Sequence, residues 1–114
     1  MMKKHFEHTE ELLAALTTEL KSLKLWQIQQ PSAAELASSA PFCCDTLAFE
    51  QWLQFIFIPR ITQLINQQQA LPAKIALRPM AEESFKHLSA KAKPLLDIIQ
   101  NIDQTLTAQG DYSE

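Results

Sequence analysis

The amino-acid sequence predicts an all-α fold, and three observations carry that prediction. The 114 residues include one glycine and no valine, whereas alanine, leucine and glutamine are abundant, and this composition favours helices over strands. Apolar residues recur at intervals of three and four in several separate stretches. Prolines and serines lie between those stretches, where helices begin and end. We therefore predict a single-domain four-helix bundle with a Pro-kinked central helix, in which residues 1–114 form one domain with a frayed tail from about residue 109 to residue 114.

The composition also limits the function. Nucleotide-binding loops need several glycines whose backbone approaches the phosphates, and a chain with a single glycine lacks them. The net charge of −3 gives no general attraction for nucleic acid. A charged N-terminus and the lack of a long apolar run predict a cytoplasmic protein with no membrane segment. No residue pattern calls for a cofactor.

The first predicted helix runs from Lys4 to about Lys24. Four leucines spaced three, four and three apart form its apolar face, namely Leu13, Leu16, Leu20 and Leu23. A polar connection follows, in which Ser32 and Glu35 have the spacing of a capping box. That spacing predicts one short turn of helix between the first helix and the next.

The stretch from Pro41 to Leu71 is the predicted centre of the fold, because it holds four of the six phenylalanines. We expect a central helix from Leu47 to about Gln68, with Asp45 or Thr46 as its N-cap. Pro59 lies inside this helix and removes one main-chain donor, which predicts a kink. At 3.6 residues per turn, the apolar residues after Pro59 lie on a face rotated by about 130° from the first. The central helix is therefore expected to bury two different faces.

Two more helices are predicted after the central one. Pro79 is expected at the first position of a short helix that turns Phe85 inward. Ser89 is the expected N-cap of a last helix from about Ala90 to Ala108. The apolar face of this last helix consists of residues spaced four, three and four apart, namely Leu95, Ile99, Ile102 and Leu106.

Three short motifs, PF..DT, WLQ..FIPR and LP, lie in the central stretch. They consist of Pro41, Phe42, Asp45, Thr46, Trp52, Leu53, Gln54, Ile58, Pro59, Arg60, Leu71 and Pro72. In these motifs, and more weakly through residues 76–79, the chain resembles the YqcC-like family of small uncharacterised bacterial proteins. The resemblance implies a small helical bundle. Members often carry a name borrowed from tRNA pseudouridine synthase C, which implies an accessory relation to that enzyme, and no catalytic residue is carried over.

No catalytic constellation can be assembled from the sequence. A pseudouridine synthase needs a nucleophilic aspartate beside an RNA-binding cleft in a much larger mixed α/β domain. None of the four aspartates stands in the arginine-leucine-aspartate context typical of that group, and we interpret Asp45 as a helix cap. The chain is therefore predicted not to be an enzyme.

A candidate structural or ligand pocket is predicted at the joint of the central helix. Its members are Asp45, Trp52, Pro59 and Arg60. Arg60 falls on the apolar side of the predicted helix, and a buried arginine needs a carboxylate partner. Asp45, Glu82 and Glu83 are the candidates for that partner. A structural ion pair is the favoured interpretation, and ligand binding is the alternative.

The histidines and cysteines are the remaining candidates for chemistry. His5 and His8 lie three apart and can share a metal ion, but no third ligand is spaced to join them, so we expect a solvated helix start and no metal site. Cys43 and Cys44 are adjacent and lack the CxxC spacing of redox pairs. We expect both to be small core residues with free thiols.

Half of the ten basic residues lie in one late segment. This candidate RNA patch consists of Lys74, Arg78, Lys86, Lys91 and Lys93. Glu82 and Glu83 dilute its charge, and the aromatic residues of the central stretch are not interleaved with basic ones, so we interpret them as core. The predicted function is that of a binding or accessory module with a protein partner or a second copy. The alternative is an RNA-binding helper of tRNA pseudouridylation.

Overall fold

The computed structural model describes residues 2–111, with side chains from residue 6 to residue 108. That range contains helices and no strand. The α-helices are α1 (Met2–Ser22), α2 (Ala33–Leu36), α3 (Phe49–Trp52), α4 (Ile58–Asn66), α5 (Arg78–Ser84) and α6 (Lys93–Asp111). A π turn, Leu53–Phe57, joins α3 to α4, so that residues 49–66 form one continuous central helix. The predicted all-α fold and the four predicted helices are confirmed.

The last helix, α6, extends close to the C-terminal end of the sequence. The main chain of α6 is helical as far as Asp111, and the frayed tail expected from about residue 109 stays a prediction. Residues 112–114 of that tail lie outside the described residues. None of the described helices is both long enough and apolar enough to cross a lipid bilayer.

The bundle is built on α1 and α6, which pack along each other. The central helix contacts α1 through α4 and contacts α5 through α3, while α5 also packs on α6. The buried side chains form one core cluster, to which α1 contributes Leu12, Leu13, Leu16 and Leu20, and α6 contributes Leu95, Ile99, Ile102 and Leu106. The apolar faces predicted for the first and last helices are therefore confirmed, apart from Leu23, which is half-buried.

The central helix buries a single stripe, because its buried apolar residues recur every fourth position. They are Phe49, Leu53, Phe57, Ile61 and Ile65, and all five lie in the core cluster. A regular α-helix would spread this stripe over about 160° of its circumference. The π turn, in which the Ile58 amide donates to the Leu53 carbonyl, is wider and winds more slowly, so it brings the second half back toward the core. The prediction of two buried faces is wrong, because it continued the α-helical period through a turn that has a different one.

The irregularity expected at Pro59 takes the form of this π turn. Pro59 follows the turn directly and lies in the first positions of α4. In a π turn the main-chain hydrogen bonds join residues five apart instead of four apart. Proline has no N–H, and it is tolerated where the helix changes from one hydrogen-bonding pattern to the other. The helix therefore passes the proline without ending.

The start of the central helix differs from the prediction. The helix begins at Phe49, and its N-cap is Ala48, whose amide donates to Gln51 Oε1 at 2.9 Å. Asp45 and Thr46 lie in the turn before the helix and do not cap it. Their side chains bind groups of the preceding connection instead, which is why the N-cap prediction is wrong.

The last two helices begin near their predicted prolines. α5 begins at Arg78, with Pro79 in its first turn. A 3₁₀ helix, Lys86–Ala92, then leads into α6. Ser89 lies inside that segment with φ 54° and ψ −132°, which is not a helical conformation, so it does not cap α6 as predicted. The last helix consequently begins at Lys93, three residues later than expected.

Candidate interaction surface

The connection between α1 and the central helix is held in place by Gln54. This glutamine is buried within the π turn, and its side-chain amide bonds in both directions with the main chain of Gln27. The Gln27 amide donates to Gln54 Oε1 at 2.8 Å, and Gln54 Nε2 donates to the Gln27 carbonyl at 2.8 Å. A buried amide is stable only when both of its polar ends have partners. Gln54 is a structural residue that the sequence reasoning missed.

A second set of hydrogen bonds orders the connection further along. The Glu35 amide donates to Ser32 Oγ at 3.1 Å, and the Ser32 amide donates to Glu35 Oε1 at 2.9 Å, which confirms the predicted capping box of α2. The Thr46 hydroxyl donates to the Glu35 carbonyl at 2.7 Å. The Ser38 hydroxyl donates to the Asp45 carboxylate. The connection is therefore fixed at several points by its own side chains.

Three apolar side chains lie outside the core where the connection meets the central helix. Ile28 is fully exposed, with a relative accessibility of 103%. Phe55 and Ile56 are half-buried and do not belong to the core cluster or to the residues packed against it. We call Ile28, Phe55 and Ile56 the apolar patch.

Four aromatic residues of the central stretch, Phe42, Phe49, Trp52 and Phe57, pack against one another. Trp52 stacks on Phe49 at 5.7 Å and on Phe57 at 5.5 Å between ring centroids. Phe42 meets Trp52 edge-on at 4.9 Å, and it does so from a backbone conformation with φ 56°. Offset and edge-on contacts of this kind add to the apolar burial of the rings. The interpretation of the central aromatic residues as core is confirmed for Phe57, and for Trp52, which packs against the core cluster. It is wrong for Phe55, which is half-buried and lies outside that cluster.

The candidate pocket at the helix joint is not assembled as predicted. Pro59 and Arg60 are exposed, as is Asp45, whereas Trp52 packs into the aromatic cluster. Arg60 makes no ion pair within the part of the chain that the structure describes. The prediction of a buried Arg60 is wrong, because the π turn keeps the residues four apart on the core side and leaves Arg60 facing solvent.

The arginine with several polar partners is Arg78, at the start of α5. Its Nε lies 3.2 Å from Glu82 Oε2, and its Nη1 lies 3.9 Å from Asp97 Oδ1. The same Nη1 donates to Gln100 Oε1. These contacts link α5 to α6. Arg78 belongs to the candidate RNA patch, and its charge is already offset by two carboxylates.

Two further members of the candidate RNA patch have carboxylate partners. Lys86 Nζ lies 2.9 Å from Glu83 Oε1, and Lys93 Nζ lies 3.2 Å from Asp97 Oδ2. The other two members are exposed and make no ion pair among the described residues. The patch is therefore a mixed-charge surface on which three of five cations are paired.

The histidines and cysteines form no cluster. Within the described residues there is no group of three or more potential metal ligands. His8 Nδ1 lies 3.7 Å from Glu11 Oε1 on the surface of α1, and the side chain of His5 lies outside the described residues. Cys43 is buried, with its Sγ 3.8 Å from the Ser38 carbonyl, whereas Cys44 is exposed. The prediction of two core cysteines is right for Cys43 and wrong for Cys44.

Two shallow grooves mark the surface of the bundle. One, of about 240 Å³, lies between α1 and α4 and contains Glu10 as its titratable residue. The other, of about 340 Å³, lies on α6 and contains Asp103. Neither groove includes a member of the predicted pocket, and neither brings two titratable side chains together.

The fold and motifs define the class of protein to which the chain belongs. A family model described as tRNA pseudouridine synthase C, for the family DUF446, matches residues 8–105. The chain belongs to this family. The YqcC-like resemblance read from the motifs is confirmed.

Individual relatives agree with this assignment. An uncharacterised protein of Haemophilus influenzae is 37% identical over 91 residues, which are 80% of this chain and 86% of that protein. The uncharacterised protein YqcC of Escherichia coli is 34% identical over 70 residues, which are 61% of this chain and 64% of YqcC. The solution NMR structure of Escherichia coli YqcC has a TM-score of 0.80 to this chain at 25% identity, covering 90% of this chain and 88% of that one.

One relative is much longer than this chain. The tRNA pseudouridine synthase C of Pectobacterium carotovorum is 38% identical over 53 residues, which are 46% of this chain and 14% of that protein. Since 53 residues make up 14% of it, that protein has about 380 residues. Most of its length therefore lies outside the likeness.

Proposed function

We propose that the chain is a non-catalytic accessory module of the cytoplasm that binds a tRNA pseudouridine synthase and assists its action on tRNA. The observation that carries this proposal is the 53-residue stretch like this chain inside a much longer protein named tRNA pseudouridine synthase C. Joining two units in one chain raises the effective concentration of each for the other. Two units that act together are therefore favoured to be joined in one chain. We infer that this chain, as a separate molecule, makes the contact with the synthase that the joined unit makes within one chain.

The chemistry of the described residues supports an accessory role. Uridine isomerisation needs a nucleophilic aspartate in a cleft that holds RNA. Asp45 accepts a hydrogen bond in the connection, Asp97 pairs with cations, and Asp103 accepts main-chain hydrogen bonds. Each of these carboxylates is engaged in structure, and neither groove places one beside a second catalytic group.

Binding and activity assays test the proposal together. The purified chain is mixed with the full-length tRNA pseudouridine synthase C encoded by the same genome, and association and uridine isomerisation are measured. We expect association, a changed rate of isomerisation at limiting tRNA, and no isomerisation by the chain alone. Isomerisation by the chain alone would contradict the accessory role, and so would a lack of both association and effect. An unrelated helical bundle of similar net charge is the control.

A second candidate is an RNA-binding helper of tRNA modification. The observation that favours it is that Lys74 and Lys91 are exposed and make no ion pair among the described residues. Binding through phosphates weakens steeply as salt is raised, because counterions are released. The expected result is salt-sensitive tRNA binding that is lost when Lys74 and Lys91 are changed to glutamine. An absence of binding at low salt excludes this candidate.

A further inference from the structure

No further inference is drawn: the strongest candidate, the apolar patch of Ile28, Phe55 and Ile56 on the surface of the central helix and the connection before it, carries nothing because nothing in the structure shows what covers it.

Discussion

The carboxylate of Asp103 on α6 accepts hydrogen bonds from the main-chain amide of Leu77, at 2.8 Å to Oδ1 and 2.9 Å to Oδ2. Oδ2 also accepts from the amide of Arg78 at 2.9 Å. Leu77 is the residue before α5, so a side chain of the last helix caps the start of an earlier one. A negative charge at this position also complements the dipole of α5. Asp103 therefore ties α5 to α6.

Replacing Asp103 by alanine should lower the free energy of unfolding by about 2–3 kcal/mol, since it removes charge-assisted hydrogen bonds and leaves amides at the helix start without an acceptor. Asp103→Asn keeps one acceptor oxygen, and we expect a loss of about 1 kcal/mol. Urea unfolding followed by circular dichroism measures both. Asp97→Ala is the matched control on the same helix, where an exposed ion pair with Lys93 and a long, partly exposed one with Arg78 are lost and the change should stay within about 0.5 kcal/mol. Equal losses at the two aspartates would contradict the capping role.

Replacing Gln54 by leucine should destabilise the chain although leucine is more apolar. The change leaves the amide and the carbonyl of Gln27 without their partners, at a cost of about 2 kcal/mol. Hydrogen exchange at the Gln27 amide should also become faster, because the hydrogen bond to Gln54 Oε1 that protects this amide is lost. Gln63→Leu on α4 is the control, since Gln63 is exposed and its change should be nearly neutral. Unchanged exchange at Gln27 would show that the connection is held by other contacts.

The helices were predictable and these two contacts were not, for a physical reason. The leucines and isoleucines of α1 and α6 recur every three or four residues, so the spacing within a few turns of helix indicates which face is buried. Asp103 and Gln54 act on main-chain groups about 26 residues away in sequence. No local pattern marks such a residue, because its role depends on where the bundle places it.

The candidate site also depends on contacts that no local sequence pattern marks. A regular α-helical period places Arg60 on the apolar side of the central helix, and the π turn changes that period. Sequence position groups Arg78 with the other basic residues of the late segment, whereas its contacts are with Glu82 and with α6. The family motifs, in contrast, were readable, because they depend on residue identity alone. Residue type and spacing in the sequence thus predict the helices and the family better than they predict which side chains contact one another in the fold.

Thr9 on α1 offers a stabilising substitution. Its side chain is 1% exposed, and its hydroxyl has no hydrogen-bond partner in the part of the chain that the structure describes. A buried hydroxyl without a partner costs free energy, and valine has nearly the same shape without the polar atom. We expect Thr9→Val to raise the free energy of unfolding by about 1 kcal/mol. The control is Thr18→Val at an exposed position of the same helix, where the change should be within about 0.5 kcal/mol, and a loss at Thr9 would indicate a partner for its hydroxyl.

α1 and α4 each end in a C-cap whose left-handed residue is not glycine. After α1, Lys24 has φ 62°, its amide donates to the Lys21 carbonyl at 3.0 Å, and the Leu25 amide donates to the Leu20 carbonyl at 2.8 Å. This pair of bonds is a Schellman motif. Gln68 closes α4 in the same way, with φ 54°. A side chain in this conformation costs about 1–2 kcal/mol, because its Cβ crowds the main chain.

Glycine at either position should therefore stabilise the chain. The relief of crowding exceeds the entropy that glycine adds to the unfolded chain, so we expect Lys24→Gly and Gln68→Gly each to raise the free energy of unfolding by about 0.5–1 kcal/mol. The two sites are at different helix ends, so the double variant should show the sum. Asn66→Gly is the control, because Asn66 lies within α4 and its change should cost about 0.5 kcal/mol. Chemical unfolding of the four variants decides the point: a loss at Lys24 or Gln68 similar to that at Asn66 would mean that these positions do not hold left-handed residues in solution.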